Sequence, residues 1–87
     1  MKNAQITCHL HDMVALIEDI LAQRFPLGGQ ILLRRGQVST VVEELGDGEA
    51  FEIEFSRSDG QAYAILAIRA EQLLPLYYEL VELAAAS

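Results

Sequence analysis

"CHLHD", from Cys8 to Asp12, is the densest group of chemically capable side chains in the sequence. A thiol, two imidazoles and a carboxylate so close together suggest either a metal site or an activated thiol. Structural zinc takes four ligands, normally as two spaced pairs, and the chain has no other His or Cys. On an extended chain His9 and His11 share one side and Cys8 takes the other. A nucleophilic thiol needs an electropositive setting and an orienting base, with a pocket around them. The expectation is a pair of solvent histidines in a mobile segment, with no metal ligand, no cofactor and no catalytic residue.

Carboxylates are the other abundant reactive group. Glu43, Glu44, Asp47, Glu49, Glu52, Glu54 and Asp59 crowd one stretch of the chain. Paired acids can serve hydrolysis, but these alternate with apolar residues in "AFEIEF", the pattern of a strand with one wet face. Glu43, Glu52 and Glu54 are therefore read as an acidic outer face suited to a partner. Arg34 and Arg35, followed by Gly36, read as a solvated turn. No glycine-rich phosphate loop, catalytic triad or cofactor motif is present.

The whole-chain balance agrees. Thirteen acidic against six basic residues give a net charge of −7 over 87 residues. Such a surface repels phosphate backbones and anionic lipid, and favours a basic protein partner. No nucleic acid and no membrane partner is expected. A single cysteine rules out an internal disulfide and points to a reducing, cytoplasmic location. No apolar run approaches the roughly 18 residues that span a bilayer, and the start of the chain lacks the apolar core of a signal peptide.

The elements that position these groups read as follows. Met13, Leu16, Ile17, Ile20 and Leu21 fall at helical spacing, and Asp12 could cap, although "MVALI" also suits a buried strand. "FPLGG" breaks the chain and "QILL" follows as a short strand or extended connection. "GQVSTVVEEL", "AFEIEF" and "QAYAILAI" are three strands, joined by turns that contain Asp47-Gly48 and Asp59-Gly60. Phe51, Ile53 and Phe55 face the core. The third strand is apolar on both faces, so both require cover. In the tail, Pro75 suits a first helical turn, and Leu76, Tyr77, Leu80, Val81 and Ala84 follow at helical spacing.

Together these segments resemble a small bacterial family catalogued as domain of unknown function 4926. The resemblance rests on "DMVAL.ED", "LRRGQVSTVVEEL", "GEAFEIEFSRSDGQAYAIL" and "AEQLLPL", between Asp12 and Leu76. It implies an SH3-like barrel of about five short, bent strands, with Met13–Ile17 as the first. It also implies a small accessory or interaction protein, some relatives having a toxin–antitoxin character. The chain departs from the family pattern at Ser39, where a second glycine is usual. It departs again in the longer "AQRFPLGGQILL" and in the material beyond Leu76.

The reading is one mainly-β domain over residues 1–87, a small SH3-like barrel or strongly bent antiparallel sheet. It comprises a mobile N-terminal segment (1–11), a barrel-like core (12–74), and a C-terminal helix with a frayed end (75–87). The expected function is a non-catalytic protein-interaction module, antitoxin- or immunity-like. The alternatives are a small-molecule-binding accessory protein with a pocket between subunits, then an enzyme. The chain is expected to be its own partner, as a dimer or tetramer with possible segment exchange about "FPLGGQ". Leu66, Ile68, Tyr77, Tyr78, Leu80, Val81 and Leu83 would form that contact, because a short helix apolar nearly all round must be buried on more than one side.

Overall fold

A computed structural model describes residues 8–84. Its centre is a meander of three strands: Val38–Leu45 (β4), Ala50–Ser56 (β5) and Ala62–Arg69 (β6). The turns form where the sequence allows a left-handed backbone. Gly48 has φ +83° after Asp47, and Gly60 has φ +90° after Asp59. Asp59 tightens its turn by accepting the Gln61 N–H through Oδ1 at 2.9 Å. Along β5 the alternation is exact in outcome: Phe51, Ile53 and Phe55 are buried, while Glu52 and Glu54 are only partly covered.

The sheet continues past β4. Met13–Leu16 (β1) pairs antiparallel with β4, setting Val14 opposite Ser39. Leu73–Pro75 (β7) pairs antiparallel with the other side of β1, setting Leu16 opposite Leu73. The order is β6-β5-β4-β1-β7, so the last strand is held by the first. A single turn of 3-10 helix, Ala70–Gln72, delivers the chain from β6 to β7. There Gln72 accepts the Arg69 N–H through Oε1 at 3.0 Å.

A second, two-stranded sheet folds over the inner face. It is a hairpin of Ile20–Gln23 (β2) and Gln30–Leu33 (β3). Ile20, Ala22, Ile31 and Leu33 turn towards the core of Val14, Leu16, Val41, Phe51, Ile53, Phe55, Ile68 and Leu73. Each of these large buried side chains contributes about 1.5–3 kcal/mol. The hairpin is tied down at both ends. The Arg35 N–H donates to Asp19 Oδ1 at 2.7 Å. The Phe25 N–H donates to the Tyr63 carbonyl at 2.9 Å.

Two sequence expectations are corrected here. The helical spacing between Met13 and Leu21 is a coincidence of two short strands. Residues 17–19 are a bend between β1 and β2, and Met13–Leu16 is a strand, as the resemblance implies. The C-terminal helix does not form: residues 76–84 have no regular secondary structure. Leu73 already closes the inner core, and the exposed side chains of residues 77–83 dock on none of it. Without docking, about ten residues do not hold a helix in water. Residues 85–87, where fraying was expected, lie outside the described residues.

The strand count is also larger than five, because the hairpin adds two to the five-stranded sheet. At Ser39, where the family pattern has glycine, β4 is an ordinary paired strand. The irregularity sits further along, between Val41 and Glu43, where the register shifts by a bulge. A bulge bends and twists its strand, so Val42 supplies the curvature that a glycine would have allowed.

Candidate interaction surface

The bulge also decides which side chains share the outer face. After it, Glu43 stands directly opposite Glu52, and Glu52 directly opposite Ala67. The next row holds Met13, Thr40, Glu54 and Ile65. Within it the Thr40 hydroxyl donates to Met13 Sδ at 3.5 Å. The row at the far end is Val38, Ala15 and Leu74. The outer face is therefore acidic at one end and apolar at the other. Val38 is 51% exposed, Leu74 53% and Ile65 41%.

No cation neutralises the acidic end among the described residues. The ion pairs there are His9 with Glu44, at 3.9 Å, and Arg69 with Glu71, at 3.1 Å, both exposed. Among the described residues Glu43, Glu52 and Glu54 take part in neither pair. Like charges directly opposite on neighbouring strands repel. Arg34 and Arg35 lie in the β3–β4 turn, where the Arg34 N–H donates to Gln37 Oε1 at 3.0 Å. They are turn residues away from the acidic rows.

The "CHLHD" segment holds a core residue. Cys8 is 3% exposed and packs in the core. Its thiol is pushed above the ordinary value of 9.0, first by burial and then by the carboxylates of Asp12 and Glu44. That is the opposite of an activated thiolate. His9 and Asp12 close a turn, the His9 N–H donating to Asp12 Oδ2 at 2.8 Å and the Asp12 N–H to the His9 carbonyl at 2.9 Å. The His11 N–H donates to the Val41 carbonyl at 2.7 Å. The segment expected to be mobile spans 1–11; residues 8–11 are this turn, pinned to β4, and 1–7 lie outside the described residues. Among the described residues no three His, Cys, Asp or Glu side chains converge as a metal site.

The residues expected to mediate self-association fall into two groups. Leu66 and Ile68 lie on the inner face of β6, where Ile68 is fully buried and Leu66 packs against the core. Tyr77, Tyr78, Leu80, Val81 and Leu83 are all exposed in the tail. A shallow, open concavity runs along that tail, lined by Leu76 to Val81 themselves. Sequence reasoning missed Val38 and Leu74 as surface residues. The signal was available for Val38: with Ser39 and Val41 inward, strand alternation sends Val38 out.

Residues 10–75 match the family model described as a domain of unknown function (DUF4926). The matched span contains all seven strands, and the chain belongs to this family. No curated protein and no solved structure matches the chain.

Proposed function

We propose that this member of the family is a non-catalytic protein-interaction module that engages a basic partner through the outer face of its sheet. The observation behind this reading is the Glu43–Glu52 pair, cross-strand neighbours with no cation beside them among the described residues. A partner's Lys or Arg would relieve that repulsion on docking. The exposed Ile65 and Val38 along the same face supply the apolar contact that charges alone lack. In such a surface the acids set the encounter rate and orientation, and the apolar side chains hold the complex.

We also read the arrangement as SH3-like: a bent meander whose last strand returns to the first after one 3-10 turn. An antitoxin- or immunity-like role is the narrower form of the proposal, in which the basic partner is encoded beside this chain. Affinity purification from the native host tests it. The wild-type chain should retain a basic protein at low salt, and a Glu43→Gln, Glu52→Gln variant should lose it. Equal retention by both would overturn the acidic face as the docking surface.

A further inference from the structure

We propose that the C-terminal segment of one chain adds as a strand to the free edge of β6 in a second copy. Among the described residues two features of the fold are left without partners, and each fits the other. The first is residues 76–84. They lie beyond the family domain, which ends at Pro75, and beyond the core, which Leu73 closes. Tyr77, Tyr78, Leu80, Val81 and Leu83 are 76–87% exposed. "LYYELVEL" holds Tyr77, Tyr78 and Val81, residue types that suit a strand once an edge is offered.

The second feature is β6. It is an edge strand of eight residues with no proline and no acidic residue. Among the described residues its outer side takes one backbone bond, from the Phe25 N–H to the Tyr63 carbonyl. Among the described residues no strand pairs with that side of β6, although β2 of the covering hairpin packs close to it. A long apolar edge of this kind is a template for another chain. The opposite edge is guarded: β7 has three residues and ends in Pro75, which has no N–H to offer.

The occupant is a second copy because the chain's own segment starts from the wrong edge. It leaves β7, four strand intervals from β6. At about 4.8 Å per interval that is roughly 19 Å of sheet to cross. The inner face is filled by the β2–β3 hairpin. On the outer face Glu79 and Glu82 would have to pass over Glu43, Glu52 and Glu54. The edge of β6 itself carries no acidic residue, with Arg57 in the turn that leads in and Arg69, paired with Glu71, at its end. Reciprocal addition by two chains closes the assembly about a two-fold axis and covers both exposed segments.

Sedimentation equilibrium of the full-length chain at micromolar concentration tests this. The expected mass is twice that of one chain. Val81→Pro, at an exposed position outside the core, should return the single-chain mass while the chain keeps its cooperative thermal unfolding. Chains carrying Leu80→Cys, mixed with chains carrying Ile65→Cys and oxidised, should give a covalent pair of one of each. A wild-type chain that sediments as a monomer overturns the proposal. So does a Val81→Pro variant that keeps the doubled mass.

Discussion

Gln37 and Tyr63 meet although they are 26 residues apart: Gln37 Nε2–H donates to the Tyr63 hydroxyl. Gln37 also closes the β3–β4 turn, accepting the Arg34 N–H at its Oε1. Tyr63 in turn accepts the Phe25 N–H at its carbonyl and packs its ring against Phe55, centroid to centroid 6.5 Å. The register shift between Phe55 and Ser56 lies beside Tyr63, which packs against the core. One tyrosine thus joins the base and the tip of the β2–β3 hairpin to β6.

Tyr63→Phe keeps the ring and removes the hydroxyl bond. The expected loss is about 0.5–1.5 kcal/mol, the net value of one hydrogen bond. Urea unfolding should show a lower midpoint with an unchanged slope. A wild-type midpoint would mean that the bond carries no net stability.

Ser39 is 4% exposed, and its hydroxyl has no hydrogen-bond partner among the described residues. A buried, unpaired hydroxyl costs about 1–3 kcal/mol in desolvation. Ser39→Ala should therefore be neutral or stabilising. Ser39→Gly should destabilise, since a paired strand position gains only backbone freedom from glycine. Thermal melts of the two variants should fall on opposite sides of each other, with alanine higher.

Glu52→Gln should stabilise the chain by roughly 0.2–1 kcal/mol, by removing the like-charge pair with Glu43. The gain should shrink as salt is added, because exposed charges are screened. Denaturation midpoints at low and high salt check both parts. A loss of stability at low salt would show that Glu52 has an attractive partner.

Cys8 gives a pH dependence. The folded state holds the thiol proton above the ordinary value of 9.0, through burial first and then Asp12 and Glu44. The unfolded chain releases that proton at the ordinary value. The resulting stability is fully present below pH 9.0 and is lost as pH rises towards the raised folded value. Cys8→Ala should flatten this alkaline slope. In the native protein the thiol should also resist alkylation until denaturant is added.

How far the sequence could be read depended on where each signal was local. The meander was legible because Asp47-Gly48 and Asp59-Gly60 mark its turns and Phe51, Ile53 and Phe55 alternate without interruption. The acidic face followed from the same alternation. The direct Glu43–Glu52 opposition did not, since it depends on the extra residue at Val42. β1 was ambiguous because four residues are too few to separate a two-residue period from a helical one. β7 was invisible as a strand: "LLP" carries no alternation, and its place is set by β1, far away in sequence. The tail's helical spacing was real in composition, but its apolar side chains stay exposed and pack on nothing among the described residues. Cys8 was misjudged because closeness to the chain start says nothing about packing, and its side chain is buried in the core.

The pairing of β1 with β7 has a temporal side. Val14 and Pro75 stand opposite each other from the two ends of the family domain. During synthesis the first strand emerges early and has β4 as its earliest neighbour, but one flank stays bare until Leu73–Pro75 has left the ribosome. Contacts so distant along the chain form slowly, because a long loop must close before they contribute. The meander β4–β5–β6, whose pairs are local, should hence be in place first. Final closure then falls to three residues at the end of the family domain, and a nascent chain halted before Leu73 would carry an open sheet edge at Val14–Leu16 throughout its wait.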